Sequence, residues 1–224
     1  MPTTLTPPPD QTATAVETCA DLLHRLGDIP PERVRIVPAP GTATVQNVID
    51  IQAREKRLFE LVDGVLVEKG MSYRESTLAV FLIECLGPFV RKGNLGILTG
   101  ESGMMRLFGG LVRIPDVAFA SWARVPGGRM PTDPVPQLVP DLAVEILSPS
   151  NSPAEMERKR REYFQAGVRL VWIVNADTRT VAVYTSPENP VVLSQSETLD
   201  GGAVLPGFSL SLTEYFAELD RQAK

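Results

Sequence analysis

The chain has 224 residues, 43% of them hydrophobic, and a formal net charge of −5 at pH 7. That length suits one domain with a sizeable core, and the apolar content excludes wholesale disorder. Two cysteines, Cys19 and Cys85, exclude a disulfide scaffold, a single histidine, His24, argues against a His-rich zinc or iron site, and the acidic balance argues against broad, non-specific coating of DNA.

The N-terminal stretch MPTTLTPPPDQ has no basic segment followed by an apolar run, so no secretory signal is expected. No stretch approaches the ~18–20 uninterrupted apolar residues of a membrane span. No membrane association is expected, and a reducing cytoplasm is the expected compartment. If metal chemistry occurs, carboxylates must carry it, and the ion should be hard, Mg²⁺ or Mn²⁺.

Residues 1–13 are rich in Thr and Pro and read as frayed. Residues 14–26 predict an amphipathic helix with Val16, Cys19, Leu22, Leu23 and Leu26 on one face, stopped by Gly27. A Pro-rich connection follows, then a short helix over Val45 to Arg57. Phe59 to Glu68 reads as two strands folded at Asp63-Gly64, a strong hairpin signal. The longest predicted helix covers 73–91, with Leu78, Leu82, Leu86 and Phe89 at helical spacing. Strands are predicted at Gly96–Thr99, Met104–Phe108, Leu111–Ile114 and Asp116–Ser121.

Residues 122–140 read as a Pro/Gly-rich loop, in which Gly127-Gly128 with Arg124 and Arg129 reads as a flexible linker, flanking a substrate being the alternative. Leu142–Leu147 is nearly all apolar and predicts a strand buried on both faces. A helix from Pro153 to Ala166 is bounded by Ser152 with Glu155, a capping-box pattern, and by Gly167. Arg169–Val174 and Thr180–Thr185 predict further strands, 191–210 irregular structure with short strands, and 212–222 a last helix. The order defines an α/β fold, an α+β mixed sheet with flanking helices. Residues 1–43 read as an N-terminal extension with one helix and 44–224 as the domain.

Charges in apolar surroundings mark the candidate site. Glu145 lies inside LAVEILS, where a lone carboxylate is costly unless paired, protonated or metal-bound; exposure at a strand end is the alternative. Asp116 follows Pro115 and opens VAFA; alone it reads as a turn former, but with Glu145 it forms a pair able to converge on one cation. Glu75 falls on the apolar stripe of the long helix, either as a site residue or as an acid favoured by the helix N-terminus. Lys159 has Met156 and Tyr163 as same-side neighbours, while the run Arg158–Arg161 otherwise reads as a solvated basic face. Glu60, beside Leu61 on the hairpin, fits either orientation. Trp122, Trp172, Met104, Met105, Cys85 and Cys19 read as packing residues, and His24 as a surface or helix-end residue.

FELVDGVLVEK, RIPDVAFAS, PDLAVEILSPSN, EMERKRREYFQAGVRLVWIV and VAVYTS resemble the Uma-two family of restriction-endonuclease-like proteins, within the PD-(D/E)XK nuclease superfamily, over roughly residues 44–210. The resemblance implies a restriction-endonuclease-like core in which Pro115-Asp116 is the PD and Glu145 the second acid. The lysine expected two residues after Glu145 is replaced by Leu147, and Lys159 on the next helix matches the place from which this family supplies it. Glu75 matches a helix position where several superfamily members carry a Glu. The implied chemistry is phosphodiester hydrolysis of nucleic acid, DNA favoured. Asp116, Glu145 and the carbonyl of Ile146 would hold Mg²⁺ or Mn²⁺, supported by Glu75 and Glu60, with Lys159 orienting water or stabilising charge. A homodimer is expected, because cutting both strands of a duplex suits two-fold symmetry. The competing readings are an inactive nuclease-fold protein acting in binding or regulation, and a structural oligomer whose buried acids are only ion-paired, Glu145 with Lys159 for instance.

Overall fold

The computed structural model describes residues 18–70 and 72–222. In chain order the elements are α1 (Cys19–Leu26), β1 (Val34–Arg35), α2 (Val45–Glu55), β2 (Phe59–Val62), β3 (Val65–Glu68), α3 (Tyr73–Lys92), β4 (Gly96–Gly100), β5 (Met105–Arg106), β6 (Val112–Arg113), β7 (Val117–Ser121) and β8 (Leu142–Ile146). They continue with α4 (Pro153–Ala166), β9 (Leu170–Asn175), β10 (Thr180–Tyr184), β11 (Val191–Ser194), β12 (Thr198–Gly201), β13 (Leu205–Ser211) and α5 (Leu212–Ala217).

Local chemistry explains most boundaries. The first helix begins at Cys19, because Thr18 caps it and exchanges hydrogen bonds with Asp21 in a capping box. The predicted positions 14–17, Val16 among them, lie outside the described residues, as do 1–13. Cys19 is exposed, so its reading as a small core residue is corrected: from α1 it is Leu22 and Leu26 that are buried in the core, with Leu23 packed partly against it. The hairpin turn has Asp63 and Gly64 both at positive φ (50° and 70°), the two-residue turn that matches strand twist. Helix α4 starts and stops as predicted, but only half of its capping box forms. Ser152 Oγ accepts from the Glu155 N–H, while the Glu155 carboxylate turns to Arg33 and Asn151. The predicted last helix is shorter, ending at Ala217 before a 3₁₀ turn over Glu218–Asp220. Residues 191–210 are more regular than expected, with three strands.

A six-stranded mixed sheet runs in the order β11-β10-β9-β8-β7-β4, with β8 and β9 parallel and joined by α4. A five-stranded antiparallel sheet runs β1-β3-β2-β6-β5, and β12 pairs with β13 separately. Alternation along β8 splits the large sheet into two faces. Leu142, Val144 and Ile146 pack with Leu78, Leu82 and Leu86 of α3 and with α5. Ala143 faces the other way, into a cluster with Tyr163 of α4, Val62 and Val65 of the hairpin, and Leu22 and Leu26 of α1. Gly27 lets α1 meet α4: its φ is +97°, and a Cβ there would stand 2.6 Å from the Glu155 backbone nitrogen. Glu145 shares the Ala143 face, so its carboxylate enters the layer between the sheet, α4 and the hairpin.

Candidate active site

Asp116 lies one residue before β7 and is tied to β8 from both ends. Its N–H donates to the Val144 carbonyl at 3.0 Å, and its Oδ2 accepts from the Ile146 N–H at 2.6 Å. That clamp sets the Asp116 carboxylate beside Glu145. Both acids converge on one ammonium: Lys69 Nζ is 2.7 Å from Asp116 Oδ1 and 3.9 Å from Glu145 Oε2, and it donates to the Ile114 carbonyl at 2.5 Å.

Lys159 projects from the inward side of α4. Its Nζ is 3.2 Å from Glu145 Oε2 and 3.2 Å from Glu60 Oε1. Tyr163, one turn further on, donates its hydroxyl to Glu145 Oε1 at 2.5 Å. Glu60, from β2, accepts the Ile114 N–H at 3.1 Å and Arg113 Nη1 at 2.6 Å. Arg113 also pairs with Glu162, which pairs with Arg158. The side chains of Lys69, Asp116, Glu145 and Lys159 are only 5%, 7%, 5% and 3% exposed, so the network is closed to solvent. A cavity of about 370 Å³ reaches its outer end at Glu162, and one of about 590 Å³ reaches the chain after β8 at Leu147 and Ser148.

The electrostatics follow from burial and these pairings. Burial pushes the Glu145 carboxyl above its ordinary range; Lys159 and Lys69 offset this only in part, and Asp116 and Glu60 reinforce it. Burial acts the same way on Glu60, but Lys159, Arg113 and Lys69, with the Ile114 N–H, hold it well below the usual carboxylate range. Burial would discharge Lys159, yet Glu145 and Glu60 overcome it and hold the ammonium above its ordinary value. The Tyr163 phenol is pushed up by burial and by Glu145 and Glu60, so it stays a donor.

The structure brings Asp116, Glu145, Lys159 and Glu60 into one cluster. It gives Ile146 a role through its N–H, as a donor to Asp116. Glu75 is buried at the third position of α3, where its carboxylate accepts from the Ser72 N–H at 3.1 Å and from the Ser72 hydroxyl. No hydrogen bond or ion pair among the described residues links it to Asp116 or Glu145. Of the basic run, only Lys159 enters the site. Arg158 is neutralised by Asp63 and Glu162, Arg161 by Glu157, and Arg160 stacks on Tyr184.

Sequence reasoning missed Lys69, Tyr163 and Arg113. Lys69 sits in the polar stretch VEKGMS, where a lysine carries no pattern signal. A buried arginine in VRIP is a signal of the same kind as Glu145, and its alternation with apolar residues offered the means to find it. Arg124 is held by Asp141 and the Gly167 carbonyl, which corrects its reading as part of a flexible linker.

The donors fit a hard divalent cation in kind. Two carboxylate oxygens and a main-chain carbonyl already surround one cation, the Lys69 ammonium, and Mg²⁺ is commonly held by one or two carboxylates with water completing its shell. Among the described residues no three His, Cys, Asp or Glu side chains gather at metal-binding spacing, so carbonyl oxygen and water would have to complete the set.

A mixed sheet with flanking helices is the architecture of the restriction-endonuclease-like fold class. A solved structure from Anabaena variabilis ATCC 29413, described as "a putative nuclease belonging to DUF820", matches with a TM-score of 0.64 at 21% identity, over 73% of this chain and 92% of that one. The family model for Uma2, "Putative restriction endonuclease", matches residues 46–213, and the chain belongs to that family. No curated protein matches the chain. No helix among the described residues is long and apolar enough to cross a membrane.

Proposed function

We propose that this protein is a divalent-metal-dependent endonuclease that hydrolyses phosphodiester bonds, with DNA as the favoured substrate. The observation that carries the reading is the convergence of Asp116 and Glu145 on a single cation position at Lys69 Nζ. The family description supports a nucleic-acid substrate, and its word "restriction" supports DNA.

In this reading Asp116 and Glu145 hold Mg²⁺ or Mn²⁺. The ion supplies Lewis acidity toward a phosphate oxygen and lowers the pKa of bound water. The Ile146 N–H orients Asp116, and Tyr163 fixes the rotamer of Glu145 through its hydroxyl. Lys159 places a fixed positive charge beside Glu145, and Glu60 with Arg113 keeps that ammonium in place. A preorganised charge of this kind stabilises negative charge as it develops on a phosphoryl group. Glu75 caps α3 through Ser72. A homodimer acting on both strands of a duplex, in the cytoplasm, completes the proposal.

A second reading has an observation of its own. The acids are already satisfied by Lys69, Lys159, Tyr163 and backbone N–H groups, as in a purely structural ion network. Cleavage assays on duplex DNA, single-stranded DNA and RNA with Mg²⁺ or Mn²⁺ separate the two. Metal-dependent cleavage is expected, and Asp116→Ala should reduce it at least about 100-fold. Intact substrates under all conditions, with Asp116→Ala indistinguishable from wild type, would leave only the structural reading.

A further inference from the structure

Lys69 is the cluster member whose position packing does not explain. Its side chain turns inward and is 5% exposed, while its residue as a whole is only half-buried, at the end of β3 next to Gly70. The ammonium has three N–H donors, and three oxygens surround it: the Ile114 carbonyl at 2.5 Å, Asp116 Oδ1 at 2.7 Å and Glu145 Oε2 at 3.9 Å. Lys159 approaches the same Glu145 oxygen from within a helix, at 3.2 Å and 3% exposure. Glu145 Oε2 is thus shared by two buried ammonium groups, one carried by a helix and one by the chain just past β3.

The three oxygens around Lys69 are hard donors of the kind a divalent cation takes. An ammonium and a divalent ion sharing Asp116 Oδ1 would repel each other strongly in a closed site, where Coulomb repulsion is weakly screened. We infer that Lys69 is a built-in competitor for the metal seat: its ammonium and the divalent ion occupy the Asp116–Glu145 position in turn, so metal uptake requires Lys69 Nζ to leave Asp116. The inference rests on the metal reading above and assigns its regulation.

The geometry gives the ammonium a way out. The Lys69 residue as a whole is half-buried just past β3, and its four-carbon stem is intrinsically flexible, so its ammonium can leave by side-chain rotation alone. Its backbone is fixed by the bond from its N–H to the Leu58 carbonyl at 2.9 Å and need not move. Once displaced, the charge stands beside the acid pair, where an anionic oxygen of a phosphodiester can pair with it. Metal and nucleic acid should then assist each other's binding, because each relieves the repulsion left by the other.

The test is a calorimetric titration of the metal-free protein with Mn²⁺, without nucleic acid. Wild type, Lys69→Met, Lys69→Gln and the distant surface variant Lys92→Met are compared. Removing the competing charge should tighten Mn²⁺ binding at least about tenfold in Lys69→Met, and in the same direction in Lys69→Gln, with Lys92→Met unchanged. Lys69→Met should also melt lower than wild type in EDTA and be restored by Mn²⁺. Lys69→Gln keeps a neutral donor for Asp116 and serves if the methionine variant does not fold. Equal or weaker Mn²⁺ affinity in the Lys69 variants overturns the competition while leaving the metal-dependent reading standing. No Mn²⁺ binding by any of the four proteins overturns both.

Discussion

Glu60 and Glu145, on strands of two different sheets, share one ammonium: Lys159 Nζ stands 3.2 Å from each. Both acids lean on it beside their other partners, since a buried charge that loses an ion-pair partner costs several kcal/mol. Lys159 is therefore a structural ion as well as a candidate for charge stabilisation. Lys159→Ala should lower unfolding free energy by ~3–5 kcal/mol, the range for breaking one side of a buried pair. Urea denaturation checks this, and a loss under about 1 kcal/mol would show that the two acids find another partner.

The Tyr163 hydroxyl is the second donor to Glu145, at 2.5 Å. Tyr163→Phe keeps the ring and its packing but leaves Glu145 Oε1 without that donor. The expected cost is ~1–3 kcal/mol, together with reduced cleavage as the carboxylate loses its fixed orientation. Unchanged stability and unchanged turnover would remove Tyr163 from the site.

Arg33 binds Glu155 through two parallel bonds, at 2.9 and 2.8 Å, and also donates to the carbonyls of Glu68 and Ser150. It thereby links the N-terminal segment to the chain on either side of the acid cluster. Burial alone would raise the Glu155 carboxyl, but Arg33, Lys159 and Asn151 hold it below its ordinary value of 4.5. An acid with a depressed folded pKa stabilises fully above its unfolded value and loses that contribution as pH falls through the folded one. Wild-type stability should therefore fall on acidification below about pH 4.5. Arg33→Met should cost ~3–5 kcal/mol at pH 7 and flatten this acid limb, because the unpaired Glu155 then gains from protonation. Denaturation midpoints between pH 7 and pH 3 decide it; parallel acid limbs in the two proteins would refute the pairing's contribution.

Asp141 organises the loop edge of the large sheet. Its carboxylate, 1% exposed, accepts from the Ser121 N–H at 2.7 Å, Arg124 Nε at 3.1 Å and Arg169 Nε at 3.0 Å. Asp141→Ala should cost ~2–4 kcal/mol, from one part-buried backbone bond and two charge-assisted bonds lost together. Limited proteolysis should then cut within 122–140 faster than in wild type, and an unchanged cleavage pattern would mean that other contacts hold the loop.

Where neighbouring residues decide the outcome, the chain was readable directly. Asp63-Gly64 turned the hairpin because both positions adopt positive φ, and Ser152, Pro153 and Gly167 bounded α4. The buried strand around Glu145 was legible from its apolar run. Glu145, Asp116 and Lys159 were legible as charges in apolar frames, since such charges need partners. Glu75 shows the limit of that argument: its place on the apolar stripe was read correctly, but its partner is Ser72, three residues away.

The sequence by itself determined the α/β class, the two acids and the inward lysine, because periodicity and the cost of burying charge act locally along the chain. Only the tertiary structure decided which groups meet those acids. Lys69, Tyr163 and Arg113 come from the end of a hairpin strand, the second half of a helix and the strand before Pro115, and nothing in their spacing along the chain links them. Their meeting follows from how α4 and the hairpin pack onto one face of the large sheet, where the low-dielectric layer requires every charge to find an opposite one.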